Sequence, residues 1–86
     1  MRSIIFRNPR ITYRKEDYGG LINLGLELYI IDEEGYNFLK KLDNIKFILE
    51  ENLNSKEKII LEKFIPKGIV VRTDYEKIKD KIQKVI

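Results

Sequence analysis

Residues 20–42, GLINLGLELYIIDEEGYNFLKKL, decide the fold of this chain of 86 residues. They predict two strands, Leu21–Leu24 and Leu26–Ile31, joined at Gly25, because glycine accepts the positive φ that a tight hairpin requires. Asp32 follows the second strand at the N-cap position of a helix, where its carboxylate can accept hydrogen bonds from the amides of the next turn. This stretch therefore predicts a hairpin that runs directly into a capped helix.

The residues before the hairpin predict one more strand. Asn8-Pro9 interrupts regular structure, and the β-branched and aromatic residues of Arg10–Arg14 suit a pleated sheet. Residues 16–20, EDYGG, have the composition of a turn. The three strands then form an antiparallel meander whose last strand, Leu26–Ile31, is paired on one side only. Its other side carries a row of unpaired N–H and C=O groups, and we expect the function at that edge.

The residues after Asp32 predict mainly helices. Asn54 and Glu57 have the spacing of a capping box, as do Thr73 and Glu76, so each pair predicts a helix start. The predicted elements are helices over Glu33–Leu42, Asn44–Asn52, Ser55–Ile65 and Asp74–Ile86, with a short extended wing over Ile69–Arg72.

The composition is that of a single folded domain over residues 1–86, with 43% hydrophobic and 36% charged residues. No apolar run approaches the ~18–20 residues that a membrane span needs. Near the start, Ile4-Ile5-Phe6 is too short an apolar patch for a signal peptide. We therefore expect a cytoplasmic protein without a membrane segment.

The sequence contains no cysteine and no histidine. A disulfide framework, a thiolate nucleophile, an iron–sulfur cluster, a Cys/His zinc site and an imidazole base all require one of these residues. We therefore expect a binding module rather than an enzyme, with no catalytic residue, cofactor or metal. The net charge is +3, with the basic excess at the two ends of the chain.

The third predicted helix has one apolar residue away from its core face. At 100° per residue, Ile60, Leu61 and Phe64 fall on one side, and Ile59 points to nearly the opposite side. A single exposed isoleucine is common on helices. The alternative is that Ile59 lines a groove between this helix and the free strand edge.

The order of three strands followed by three helices resembles the PqqD-like domain, also called the RiPP recognition element. These modules bind the leader segment of a ribosomally synthesised precursor peptide and deliver it to a modifying enzyme. The resemblance covers roughly residues 8–71. The segments that carry it are Asn8-Pro9, the hairpin Leu21–Ile31, the helix entry Ile31–Gly35, and Ile59–Phe64 running into Gly68–Val70.

The resemblance implies an α+β fold, with a three-stranded antiparallel sheet followed by a three-helix winged-helix bundle. The sequence adds an extra C-terminal helix over 74–86. The resemblance also implies that the leader peptide adds as an antiparallel strand along the third strand, by β-augmentation. Tyr29 has a second interpretation, as an ordinary cross-strand packing residue. The peptide-binding residues carried over to this chain are Leu26, Glu27, Leu28, Tyr29, Ile30 and Ile31 on the strand, and Ile59, Glu62 and Lys63 on the helix.

The resemblance further implies a separate partner enzyme, such as a radical S-adenosylmethionine (SAM) maturase, a cyclodehydratase or a leader protease. The final helix is longer than in many such domains. It can pack on the wing, dock the enzyme or form the seam of a homodimer, and packing is the interpretation we favour because its apolar stripe is narrow.

The alternative function is that of a winged-helix DNA-binding protein. The order of helices permits it, and the positive charge supports it weakly. The helix that would read DNA, Ser55–Ile65, contains no Arg and no Gln, and Asn54 is used for capping. Since bidentate contacts to bases depend on these side chains, nucleic acid is the less favoured partner.

Overall fold

Two antiparallel sheets and two helices give the described residues, 2–77, an α+β fold in the computed structural model. Within these residues, no helix is long and apolar enough to cross a membrane. The strands are β1 (Ser3–Arg7), β2 (Thr12–Glu16), β3 (Gly19–Leu24), β4 (Glu27–Ile31), β5 (Ile48–Leu49) and β6 (Val70–Asp74). The helices are α1 (Glu33–Ile45) and α2 (Ser55–Phe64), with a 3-10 turn over Glu50–Asn52.

The predicted order of three antiparallel strands is confirmed as the sheet β2-β3-β4. The first strand lies two residues later than predicted, and β3 already begins at Gly19, so the turn between them is shorter than residues 16–20. Gly25 has a φ of 60°, and a glycine with positive φ at the first central position is the pattern of a type II′ hairpin turn. Leu24 pairs with Glu27 across this two-residue loop. Leu26 therefore belongs to the turn, and the third strand of the meander begins one residue later than predicted.

The second sheet, which we call the long-range sheet, has the order β5-β1-β6. β1 lies at its centre and pairs along its whole length with β6, from Ser3 opposite Asp74 to Arg7 opposite Val70. On its other side β1 pairs with β5 at Ile4 and Ile5 only. The sequence analysis did not predict β1, because its partners are more than forty residues away in the chain.

The helix predicted over Asn44–Asn52 is wrong. The first helix continues through Ile45 and ends at Lys46, which has a φ of 72°. Ile48 and Leu49 are extended, because pairing with β1 satisfies their backbone groups. Of the predicted helix, Asn44 and Ile45 are the end of α1, and Glu50–Asn52 form the 3-10 turn.

Both predicted caps of the long helices are confirmed. The N–H of Gly35 donates to Oδ1 of Asp32 at 2.8 Å. Asn54 and Glu57 form the reciprocal capping box, with distances of 2.8 and 3.0 Å. Gly35 also lets α1 approach α2, since a Cβ there would lie 3.0 Å from Cζ of Phe64.

The predicted wing is part of β6, which extends to Asp74. Thr73 pairs with Ile4 in the long-range sheet and is not a helix cap. Instead, Oδ1 of Asp74 accepts from the N–H of Glu76 at 2.9 Å, where a helical turn begins. Residues 78–86 of the predicted C-terminal helix lie outside the described residues.

One cluster of buried apolar side chains joins both sheets to both helices. Ile5 of β1, Ile22 of β3 and Leu39 of α1 are completely buried within it. Burial of such side chains is the main source of stability in a domain of this size. The remaining buried members are Ile11, Ile31, Phe38, Leu42, Leu53, Leu61, Phe64, Ile69 and Val70.

A polar cluster joins β1, β2 and α1. Nε of Arg7 donates to Oδ1 of Asp43 at 2.6 Å, and the Tyr13 hydroxyl donates to the other carboxylate oxygen. Partial burial acts to raise the pKa of Asp43, but these two hydrogen bonds outweigh it, and the pKa lies below its ordinary value. Burial, together with the bond to Asp43, raises the pKa of Tyr13.

Candidate functional site

The open edge of the meander is the most distinctive surface of the molecule. Within residues 2–77, β4 pairs with β3 on one side and with no strand on the other. The pair that closes a two-residue hairpin loop is hydrogen-bonded, so the N–H and C=O groups of Glu27, Tyr29 and Ile31 point toward β3. Those of Leu28 and Ile30 then point outward, and we call these outward groups the open edge.

The side chains of β4 alternate between two faces. Ile31 is buried and Tyr29 half-buried on the face that packs on the core, whereas Leu28 is 64% and Ile30 74% exposed. Edge strands are usually protected by lysine, proline or a bulge. The five residues of β4, ELYII, include neither lysine nor proline, and Glu27 supplies the only charge. An apolar strand of this kind is suited to pairing with another extended segment.

A cleft of about 210 Å³ adjoins the open edge, between β4, the start of α1 and α2. We call it the edge cleft. Its apolar lining includes Ile31, Ile60, Phe64 and Ile69. A peptide strand added to β4 would therefore place alternate side chains next to an apolar depression.

Two lysines give the edge cleft a positive character. Lys63 and Lys67 both line it, and neither forms an ion pair in the part of the chain that the structure describes. Asp32 also lines the cleft, but its carboxylate accepts from the amide of Gly35. The cleft therefore suits a ligand that combines a bulky apolar group with negative charge.

Tyr29 connects the strand to the positive side of the cleft. Nζ of Lys67 lies 5.4 Å from the centroid of its ring, within the range of a cation–π interaction. The Tyr29 hydroxyl donates to the carboxylate of Glu27, and this hydrogen bond raises the pKa of Tyr29. Tyr29 thus combines the two roles that the sequence left open, packing on the meander and lining the cleft.

The structure brings some of the predicted site residues together and separates others. Tyr29, Ile30, Ile31 and Lys63 line the edge cleft, and Leu28 is exposed at the open edge. Leu26 lies in the turn and is fully exposed, and Glu27 starts the strand. Ile59 and Glu62 are not part of the cleft lining: Ile59 is 59% exposed, and Glu62 accepts from Arg72 at 3.1 Å.

The helix side of the cleft is formed by residues that the sequence analysis did not place there. Ile60 and Phe64 were assigned to the core face of the helix, and both also line the cleft. Lys67 follows the helix in the turn that contains Pro66, where no periodic pattern could assign it to a surface. Ile60 and Phe64 could have been found from the helical pattern, because residues at the border of the core face can contact both the core and a neighbouring cleft.

A larger cavity, of about 430 Å³, lies beside β1 and the end of α1. Arg7 and Asp43 in its lining are bonded to each other, and Nη1 of Arg7 also donates to the carbonyls of Asn8 and Ile11. Arg7 and Asp43 therefore already have partners, and Lys46 is the charged residue of this lining without an ion pair among the described residues. The edge cleft, next to a row of free backbone groups, is the better candidate.

Comparison with other proteins adds no assignment: no protein-family model, curated protein or solved structure matches this chain. Among the described residues, no group of three or more acidic side chains is placed to hold a metal ion. The open edge and the edge cleft are therefore the features of the molecule that bear on its function.

Proposed function

We propose that this chain is a non-catalytic peptide-binding domain that captures an extended peptide by strand addition to β4. The observation that carries the proposal is the open edge of an apolar strand beside a cleft with two unpaired lysines. Strand addition is a general mode of peptide recognition, in which the backbone supplies affinity and alternate side chains supply sequence preference.

The bound peptide would pair with the outward N–H and C=O groups of Leu28 and Ile30. Every second peptide side chain would then face the edge cleft, whose apolar lining favours a branched aliphatic or aromatic residue. An acidic residue nearby would interact with Lys63 and Lys67. Such ion pairs at a partly exposed site add modestly to affinity and more to the choice of partner.

The particular function that we propose is capture of the leader segment of a ribosomally synthesised precursor peptide, as the resemblance to PqqD-like domains implies. The winged-helix arrangement, a cytoplasmic location and a separate modifying enzyme belong to the same proposal. The domain would act by raising the local concentration of peptide at the enzyme, and it would contribute no chemical step.

Amide hydrogen exchange tests the proposal at single residues. The probe is a synthetic leader peptide, taken from a short reading frame next to the gene for this chain. At saturating peptide, the amides of Leu28 and Ile30 should gain protection, because these N–H groups point outward. The amides of Glu27, Tyr29 and Ile31 already pair with β3 and should change little.

Two results would contradict the proposal. Exchange at Leu28 and Ile30 that stays the same at saturating peptide, measured in dilute and monomeric protein, would exclude strand addition at this edge. Binding of mixed duplex DNA at physiological salt, with affinity falling over several decades as salt rises, would support the DNA-binding alternative. The control is a peptide of the same composition in scrambled order.

A further inference from the structure

We propose that in the absence of peptide, β4 pairs with β4 of a second copy of this chain, antiparallel about a two-fold axis through Leu28. Self-pairing depends only on the open edge. Peptide and the second copy would use the same outward backbone groups, so the two should compete. That consequence rests on the proposed function. The edge would then be covered in the free protein as well as in the complex.

The sequence from Leu26, in the turn before β4, to Ile30 fits this pairing because its apolar pattern is symmetric about Leu28. In the register centred there, Leu28 lies opposite Leu28 of the second copy, and Leu26 lies opposite Ile30. In the single chain Leu28 is 64%, Leu26 104% and Ile30 74% exposed. Pairing would bring these three side chains of each copy, six in all, onto one continuous surface. Cross-strand apolar pairs are the main source of stability between two strands.

The opposite face of the same register pairs Glu27 with Tyr29 of the second copy. In the single chain these residues already form a hydrogen bond, so a carboxylate and a hydroxyl would again be neighbours across the seam. Lys67, beside the ring of Tyr29, adds a positive charge near each carboxylate. Shifting the centre to Tyr29 would place Glu27 opposite the buried Ile31, which offers no partner.

Backbone geometry permits the Leu28 register. The N–H and C=O groups of Leu28 and Ile30 point outward, so Leu28 can form a hydrogen-bonded pair with its own symmetry mate. A seam of two short strands is a small interface, and we expect a weak dimer whose population rises with protein concentration.

Sedimentation velocity of the full chain tests the pairing. The wild-type protein should shift from monomer to dimer over a roughly hundredfold rise in concentration. Leu28→Lys places two like charges directly opposite each other and should weaken self-association by about tenfold or more. Ile59→Lys, which changes an equally exposed isoleucine on α2, is the matched control and should dimerise as the wild type does.

The absence of cysteine from the chain allows a second test of the register. Residues of a hydrogen-bonded antiparallel pair have Cα atoms about 5.5 Å apart, within the range of a disulfide. Leu28→Cys should therefore form a disulfide-linked dimer with oxidised glutathione, and Ile59→Cys should do so far more slowly. Equal rates for the two variants would overturn the register.

These results separate the inference from the proposed function. A wild-type protein that remains monomeric at every concentration would overturn self-pairing, while the exchange test of peptide binding would still stand. A dimer that the leader peptide does not dissociate would show that self-pairing and peptide binding do not compete for β4. A wild-type dimer that the leader peptide dissociates, with the amides of Leu28 and Ile30 protected in the complex, would support both.

Discussion

The meander and the long-range sheet differ in how their edges are closed. The central strand of the long-range sheet is paired on both sides, and Arg72 of its outer strand β6 binds both carboxylate oxygens of Glu50, the residue after β5, at 2.9 Å. The last strand of the meander has an apolar open edge instead. Both sheets contribute to the core, but the apolar edge that we propose as the binding surface belongs to the meander.

The physical reason for the division lies in the chain path. The long-range sheet joins residues 3–7 to residues 70–74, so it holds together segments from both ends of the described chain. Its loss would release the whole core. The meander is a local structure, and its last strand can exchange partners on the outer side without disturbing the pairs with β3.

The largest expected effect is the difference between Ile5→Ala in the long-range sheet and Ile30→Ala at the open edge. Ile5 is completely buried, and its truncation should lower the free energy of unfolding by about 2–5 kcal/mol. Ile30 is 74% exposed, and its truncation should change that free energy by less than about 0.5 kcal/mol. Urea unfolding followed by circular dichroism measures both.

Peptide binding should respond in the opposite order. Ile30→Ala removes an exposed apolar side chain beside the position where the peptide strand would pair, and it should weaken binding. Ile5→Ala should leave the affinity unchanged at temperatures where the variant stays folded. Equal losses of stability in the two variants would break the division between the sheets.

Two proline substitutions one residue apart sharpen the comparison within β4. Tyr29→Pro removes an N–H that points toward β3, and it should destabilise the fold by about 1–3 kcal/mol. Leu28→Pro removes an outward N–H, where an edge strand tolerates proline. Leu28→Pro should therefore lower the free energy of unfolding less than Tyr29→Pro does. For a given loss of stability, it should weaken peptide binding more.

Calorimetric titration with the leader peptide, together with thermal unfolding, checks this pair of variants. If Leu28→Pro destabilised the fold more than Tyr29→Pro, then the N–H of Leu28 would point toward β3 and that of Tyr29 would point outward. Both the exchange pattern and the Leu28 register would then have to be revised.

Local signals account for the elements that the sequence predicted correctly. Gly25 fixed the turn, Asp32 the start of α1, and Asn54 with Glu57 the start of α2, each through contacts within a few residues. The apolar residues Ile48 and Leu49 fit a helix pattern and a strand equally well. Only their pairing with β1, from the other end of the sequence, decides between the two.

The candidate site shows the same limit. The open edge follows from the order of the strands, and the sequence predicted it. The rotation of α2 relative to β4 depends on packing, with Gly35 allowing Phe64 close to the start of α1. That packing brings Ile60 rather than Ile59 to the cleft, and a helical pattern read without its neighbours cannot distinguish the two.

Acidification should weaken the cluster of Arg7, Tyr13 and Asp43, because protonation of Asp43 removes the charge that Arg7 binds. The pKa of Asp43 is lowered in the folded state, so its stabilisation is present above the unfolded value of about 4. It is lost as the pH falls through the lower, folded value. Asp43→Asn should cost about 1 kcal/mol at neutral pH and should flatten the decline of stability in acid.

Unfolding by urea over a series of acidic pH values measures this slope. Glu57→Gln provides a comparison. In the wild type, the hydrogen bond from Lys41 to the Glu57 carboxylate holds the pKa of Glu57 below its ordinary value, against the effect of burial. Part of the slope should therefore remain in Asp43→Asn. A variant with the full slope of the wild type would exclude Asp43 as its source.

The smallest expected effect is that of Arg72→Lys. Arg72 contacts both carboxylate oxygens of Glu50 at 2.9 Å, and lysine cannot reproduce this bidentate contact. Because the pair is partly exposed, we expect a loss of about 0.5 kcal/mol in the free energy of unfolding, and less at high salt. A double-mutant cycle with Glu50→Gln isolates the coupling. Peptide affinity should not change, since Arg72 lies outside the edge cleft; a weaker affinity would connect the two sheets that the comparison separates.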